Sequence, residues 1–325
     1  MKKRTLGSSG QEVSAIGLGC WGMSGAYGEG SREESIATIH EAIEAGIDFI
    51  DTADIYGNGH NEELVGEALK GIRKNAFLAT KFGFVHNEND ELDVNGHPDY
   101  VQAACEASLK RLGTDHIDLY YLHRVDKNVP IEDTVGAMSR LVEQGKVRFL
   151  GLSEASGKTL EIAETIHPIA AMQSEYSLNS RDIETGVIPT CRKTNTAVVA
   201  FSPLGRALLT CAIKKTEDLS ENDFRRNLPR FKGSNFKRNL ELIAIIEKIA
   251  KDKGIKPSQL ALTWLLHQGE DVIPIPGMKR RKYISENAGA AEVSITEEEM
   301  KELNKLYTEF SGERFSESSK KFIDL

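Results

Sequence analysis

Short apolar runs alternate along this chain of 325 residues with longer segments whose apolar positions have helical spacing. The runs begin about every 30 residues, the length of one strand–helix crossover unit. Because they are almost continuously apolar, they are typical of parallel strands that are buried on both faces. The predicted strands cover residues 15–18, 47–51, 76–81, 117–123, 147–152, 171–174, 197–201 and 272–275, and residues 3–14 predict a small hairpin turned at residues 8–10.

The intervening segments repeat apolar residues every three or four positions, which predicts helices with one buried face. Two of them open with a capping box, Ser31 with Glu34 and Thr296 with Glu299. The predicted helices cover residues 31–46, 61–69, 98–112, 131–143, 158–166, 236–253, 257–267, 282–288 and 296–307, with a short helix between the strands at 171–174 and 197–201. Residues 207–231 form an insertion, and the polar tail that follows residue 307 is expected on the surface.

Eight strands that alternate with helices predict an α/β fold of the (β/α)8 TIM-barrel type, with an N-terminal β-hairpin and extra helices after strand seven and at the C-terminus. A doubly wound open sheet is the rival architecture. The first strand and helix lack the G-x-G-x-x-G turn that such a sheet uses to bind a dinucleotide, which weakens that alternative. Because no segment has the composition of a linker between two domains, we expect one domain over residues 1–325.

Charge and cysteine usage narrow the possible functions. Forty-one basic and 49 acidic side chains give a net charge of −8 and a pI near 5.6, which argues against a general nucleic-acid or membrane-surface binder. The four cysteines are widely spaced, so neither a disulfide framework nor a metal site is expected. Without a secretory segment or a membrane-spanning apolar run, the expected location is cytoplasmic.

The chemistry of a barrel lies at the carboxyl ends of its strands. The second predicted strand ends at Asp51, with Tyr56 five residues later, and the next two strands end at Lys81 and His123. A tyrosine with an ordinary pKa of about 10 is a poor acid at neutral pH, but a nearby ammonium lowers that pKa. Lys81 can supply the ammonium, and Asp51 can keep it charged.

Several motifs at these strand ends resemble those of the aldo-keto reductase superfamily, which includes potassium-channel β subunits. The likeness extends over nearly the whole chain. It rests on residues 49–56 (FIDTADIY), 79–83 (ATKFG) and 121–124 (YLHR), with support from residues 19–23 (GCWGM), 151–153 (GLS), 173–177 (QSEYS) and 201–205 (FSPLG).

The resemblance implies metal-free, reversible reduction of an aldehyde or ketone with NADP(H). It makes Tyr56 the donor of a proton to the carbonyl oxygen, while Lys81 lowers the pKa of Tyr56 and Asp51 orients Lys81. His123 would position the carbonyl. The small-molecule substrate would contact Trp21, Tyr56 and His123.

The resemblance also implies a cofactor site. Ser153 and Gln173 would bind the nicotinamide carboxamide, Phe201 would stack on its ring, and Lys279 would bind the 2′-phosphate. Position 154 is Glu where many members have Asn, so a carboxamide contact from it is not expected. Separately from the resemblance, the position and basic residues of the insertion at 207–231 leave two interpretations open, a cover over the pyrophosphate or a solvated loop without a ligand. The full expected set is Gly19, Cys20, Trp21, Asp51, Ser153, Gln173, Phe201, Ser202, Pro203, Leu204, Arg206, Gly277, Lys279, Glu286 and Asn287.

Two other functions remain open at this point. One is a redox-sensing subunit that binds NADP(H) with little turnover. The other is a (β/α)8 lyase or isomerase that uses Lys81 as an amine nucleophile, which requires an uncharged lysine. The sequence does not decide the oligomeric state or name the substrate.

Overall fold

The computed structural model describes residues 1–25, 27–28, 30–221 and 223–324. Its central feature is a barrel of parallel strands. In this part of the chain the strands are β1 (Lys3–Thr5), β2 (Glu12–Ser14), β3 (Leu18–Gly19), β4 (Phe49–Asp51), β5 (Phe77–Phe82), β6 (Phe84–His86), β7 (Leu92–Val94), β8 (Ile117–Leu122), β9 (Val147–Ser153), β10 (Ile169–Glu175), β11 (Ala197–Phe201) and β12 (Val272–Pro274).

Parallel pairing joins eight of these strands in the order β3, β4, β5, β8, β9, β10, β11, β12. The two ends of that sheet meet, because Gly19 bridges to Gly277 and the Gly17 amide donates to the carbonyl of Pro274 at 2.9 Å. The strands therefore close into the predicted (β/α)8 barrel. The strand predicted at 15–18 is shifted, since β3 pairs with β4 only at Leu18 and Gly19.

Helices cover the outside of the barrel in the predicted order, with ends that differ from the prediction by a few residues. None of those in the described ranges has the length and apolarity that a membrane span requires. In residues 207–221 and 223–231, the described part of the insertion, regular structure is limited to short 3-10 turns at Leu208–Thr210, Thr216–Asp218, Phe224–Asn227 and Pro229–Phe231. The α-helices are α1 (Arg32–Glu44), α2 (His60–Leu69), α3 (Pro98–Leu112), α4 (Ile131–Glu143), α5 (Gly157–Glu164), α6 (Val187–Thr194), α7 (Gly233–Asp252), α8 (Pro257–Leu266), α9 (Ile284–Ala288), α10 (Glu297–Leu306) and α11 (Glu317–Lys320).

Strand alternation divides the core into two layers. In β8, Leu119 and Tyr121 belong to the cluster inside the barrel, whereas Tyr120 and Leu122 belong to the cluster between sheet and helices. This double burial explains why the strands are apolar along their whole length. Leu6 and Val13 of the N-terminal hairpin join the inner cluster and close the amino end of the barrel, which leaves the carboxyl end for ligands.

Two glycines within helices test how tightly the outer layer is packed. A Cβ on Gly66 in α2 would lie 2.5 Å from the Leu112 carbonyl oxygen, whereas a Cβ on Gly136 in α4 would meet nothing within 4 Å. We expect Gly66→Ala to lower the free energy of unfolding by roughly 1–3 kcal/mol through this overlap. Gly136→Ala, the matched control, should raise it by about 0.5–1 kcal/mol because alanine favours helix. Urea denaturation measures both; a stabilising Gly66→Ala would contradict the packing.

Candidate active site

A cavity of about 910 Å³ opens at the carboxyl end of the barrel. Side chains alternate between the two faces of each strand, so a residue two positions beyond an inward-facing side chain also faces inward. This alternation places the residues that form the floor of the cavity. Ala79 and Tyr121 lie in the inner cluster, so Lys81 and His123 point into the mouth. The same rule brings Asp51, Ser153, Gln173 and Phe201 there, from β4, β9, β10 and β11.

An ion pair between Lys81 and Asp51 lies at the base of this cavity. The Lys81 Nζ donates to Asp51 Oδ1 at 2.5 Å and to the Thr52 carbonyl at 2.7 Å, and both charged side chains are buried. The second carboxylate oxygen of Asp51 accepts from Gln173 Nε2 at 2.8 Å. The carboxylate and ammonium are therefore fixed by bonds from three strands.

Tyr56 lies on the loop after β4 and meets this pair from above. Its hydroxyl oxygen is 3.4 Å from Lys81 Nζ, and its ring centroid is 5.8 Å from that of His123. The structure thus brings the four predicted catalytic side chains, Asp51, Tyr56, Lys81 and His123, into one group around a common space.

Asn61, which the sequence did not single out, holds the loops in place. This buried residue of α2 accepts from the Thr52 hydroxyl at 2.7 Å and donates to the Cys20 carbonyl at 2.9 Å. It thereby connects the loops that follow β3 and β4. A polar residue in the buried face of a predicted helix was the available signal.

Burial and the ion pair set the protonation states of the group. Burial raises the pKa of Tyr56, and the adjacent Lys81 ammonium opposes that rise. Burial opposes the charge of Lys81, but Asp51 and Tyr56 outweigh it, so the pKa of Lys81 lies above its usual value. Burial, with Arg124 and Lys81, lowers the pKa of His123 well below its usual range. At neutral pH the site therefore holds an ammonium, a phenol and a neutral imidazole.

The predicted cofactor residues extend along the same cavity, with one exception. Every predicted cofactor residue except Cys20 lines the cavity. Those that line it are Gly19, Trp21, Asp51, Ser153, Gln173, Phe201, Ser202, Pro203, Leu204, Arg206, Gly277, Lys279, Glu286 and Asn287. The fully buried Cys20 side chain lies in the outer cluster beside Leu18. Because Cys20 follows Leu18 by two positions, both side chains point towards the helices, and the structure does not support contact between this thiol and a cofactor.

The predicted phosphate and adenine residues line the same cavity. Lys279 Nζ donates to the Tyr27 carbonyl at 2.6 Å, while burial and the nearby Arg280 lower the pKa of Lys279. Glu286 accepts a hydrogen bond from the Ser258 hydroxyl. The cavity is continuous from Tyr56 to Asn287, so a long ligand can extend between them.

The insertion packs over the cavity on the side of β3. The Phe224 ring lies 5.3 Å from Trp21 and 5.4 Å from Tyr27, centroid to centroid. Arg206 donates to Glu175 at 3.2 Å, and Arg225 pairs with Asp223 at 2.6 Å. Arg206 and Arg225 are thus held by acids of the protein.

The tail was expected on the surface, and most of its described residues are exposed or partly exposed, but Arg314 is not. Arg314 is buried and lies 2.9 Å from both Glu154 and Asp182, so the tail is drawn onto the end of β9. Phe315 and Phe322 line the cavity, and the Phe322 ring meets Phe84 edge-on at 5.4 Å. The fully buried Glu154 carboxylate supplies the reason, because a buried charge needs a paired counter-charge and Arg314 forms that ion pair.

Removing Arg314 would leave the Glu154 carboxylate buried with its main partner lost. We expect Arg314→Met to lower the free energy of unfolding by about 3–5 kcal/mol. Adding Glu154→Gln should restore most of the loss, since the buried charge is then absent. Urea denaturation compares the two variants with the unmodified chain. Equal losses in the single and double variants would show that the pair is not the source of the effect.

Comparison with known proteins agrees with this geometry. Residues 15–308 match the model of the aldo/keto reductase family. Aldo-keto reductase yakc [NADP(+)] of Schizosaccharomyces pombe is 47% identical over 322 residues, covering 96% of this chain and 95% of that protein. The structure of glycerol dehydrogenase AKR11B4 from Gluconobacter oxydans superposes with a TM-score of 0.84 at 31% identity, covering 94% of this chain and 95% of that one. The structure of an aldo-keto reductase from Klebsiella pneumoniae in complex with NADPH superposes with a TM-score of 0.74 at 29% identity, covering 94% of this chain and 95% of that one.

Proposed function

The chain belongs to the aldo/keto reductase family, and on that premise we propose that it is an NADP(H)-dependent oxidoreductase that reversibly reduces an aldehyde or ketone to an alcohol. One observation carries the proposal for the site. The Lys81 ammonium lies 2.5 Å from the Asp51 carboxylate and 3.4 Å from the Tyr56 hydroxyl. A charged lysine beside a phenol is the arrangement that makes tyrosine a usable acid.

The residues of the cavity fit the cofactor. Phe201, Gln173 and Ser153 lie at or near the carboxyl ends of the neighbouring strands β11, β10 and β9 and line the cavity together, and Lys279 lines the same cavity. We assign the first three to the nicotinamide and Lys279 to the 2′-phosphate, with Glu286 and Asn287 beside the adenine. When bound, NADPH supplies the hydride that reaches the carbonyl carbon.

Proton transfer is the task of the chain itself. Tyr56 donates its proton to the carbonyl oxygen, and the Lys81 ammonium stabilises the phenolate that remains. The neutral imidazole of His123 can donate one N–H to the same oxygen and so orient the carbonyl. In alcohol oxidation the phenolate of Tyr56 takes the proton back.

The alternatives receive less support. An amine nucleophile must be uncharged, whereas the ion pair with Asp51 keeps Lys81 protonated. A redox-sensing subunit would not require a proton donor placed between Lys81 and His123. We also infer one domain over residues 1–325, no nucleic-acid partner, and a cytoplasmic location, which the four buried free cysteines support.

Replacing Tyr56 by Phe removes the proton donor and keeps the ring. We expect the turnover of NADPH with 4-nitrobenzaldehyde to fall by about 10²- to 10⁴-fold, the usual contribution of general acid catalysis. Cofactor affinity, measured by quenching of protein fluorescence, should be retained. Comparable turnover in the two proteins would overturn the assignment of Tyr56.

Replacing Lys81 by Met should shift the pH dependence of alcohol oxidation. Burial raises the pKa of Tyr56 and Lys81 opposes that rise, so the pKa of Tyr56 should increase when the ammonium is removed. Oxidation needs the phenolate, and its acid limb should therefore move to higher pH. The measurement is kcat/KM against pH for 4-nitrobenzyl alcohol with NADP⁺. The double variant with Asp51→Asn avoids an uncompensated carboxylate; an unmoved or lowered limb in both variants would contradict the role of Lys81.

A further inference from the structure

Arg124 is a buried cation at the substrate end of the cavity. It follows His123 directly, is 9% exposed, and lines the cavity. Its Nη1 donates to the carbonyl of His123 at 2.5 Å and to the Ser153 hydroxyl at 3.1 Å. Its guanidinium carbon lies 5.4 Å from the centroid of the Phe84 ring.

The other arginines around the cavity have acids as partners. Arg206 pairs with Glu175 at 3.2 Å, Arg225 with Asp223 at 2.6 Å, and Arg314 with Glu154 at 2.9 Å. Arg124 has no carboxylate oxygen within 4.0 Å among residues 1–25, 27–28, 30–221 and 223–324. Burial disfavours the charge of Arg124, and the more distant Glu154 carboxylate only partly offsets this effect on the pKa of Arg124. A buried cation that forms no direct ion pair is an unusual feature for structure alone.

The free part of the guanidinium is the part that a ligand can use. Both of the hydrogen bonds that Arg124 makes within the described chain come from Nη1, which leaves Nε and Nη2 without a protein acceptor there. These two groups form one edge of a planar fork that matches the two oxygens of a carboxylate.

Arg124 stands close to where the carbonyl must react. The Phe84 ring, which the guanidinium covers, lies 4.8 Å edge-on from His123, and His123 lies 5.8 Å from Tyr56. The carbonyl binds between Tyr56 and His123 in the proposed function. A substrate that extends from there along Phe84 meets Arg124.

We propose that the substrate is an oxo acid, an aldehyde or ketone that also carries a carboxylate, and that Arg124 binds this carboxylate. The inference rests on the proposed function and narrows its substrate class. The reaction balances without further reagents. Hydride adds to the carbonyl carbon, the Tyr56 proton adds to its oxygen, NADPH becomes NADP⁺, and the carboxylate is unchanged.

The test compares acids with their neutral esters. The 2-, 3- and 4-formylbenzoates and their methyl esters present the same aldehyde at three distances from the charge. We expect at least one acid to exceed its ester in kcat/KM, and we expect Arg124→Met to reduce that acid-to-ester ratio by about 10- to 100-fold, the value of a charged hydrogen bond. Arg124→Lys, which keeps the charge without the fork, should retain part of the preference.

The outcomes separate the inference from the function on which it rests. Absence of NADPH oxidation with acids and esters alike in the unmodified protein would overturn the proposed function. Turnover without a preference for any acid, or an equal loss for acid and ester in Arg124→Met, would overturn the role of Arg124. The same holds if Arg124→Met raises only the KM for NADPH. As a check that needs no variant, benzoate should compete with the aldehyde and benzamide should not; equal inhibition by the two would contradict carboxylate binding.

Discussion

The buried ion pair between Lys81 and Asp51 is the interaction on which the site depends. Burying a charge inside a barrel costs least when it is paired and its remaining hydrogen-bonding positions are filled. The Thr52 carbonyl and the Gln173 amide fill them here, so the pair is tied to β4, β5 and β10 at once. Tyr56 needs only to approach this fixed ammonium. The geometry of the candidate catalytic group is therefore set by the sheet, and the loop contributes a single ring.

Alternation along the strands explains why the site was largely predictable from sequence. Once Phe49, Ala79 and Tyr121 are recognised as interior residues, Asp51, Lys81 and His123 two positions later face the same mouth. Cys20 shows the limit of such reasoning. Its motif was recognised, but its side chain belongs with Leu18 on the outer face, one position out of phase with Gly19.

The tail was unpredictable for a different reason. Its place depends on Arg314 reaching Glu154, a contact between residues separated by 160 positions, and no local pattern records such a contact. Asn61 was missed for a similar reason. It joins the Cys20 carbonyl to the Thr52 hydroxyl, and both of these groups lie outside its own helix. Periodicity locates side chains relative to their own element. It says little about which distant groups they will satisfy.

The tail and the N-terminal hairpin have a practical consequence for handling the protein. Asp324 accepts a hydrogen bond from the Ser156 amide at 3.1 Å, and Phe322 and Ile323 lie in the wall of the cavity. An affinity tag attached close behind these residues would lie beside the entrance to the candidate active site and would compete for that space. Leu6 and Val13 close the opposite end of the barrel, and Met1 is exposed there. Tags and surface-immobilisation linkers therefore belong at the amino terminus.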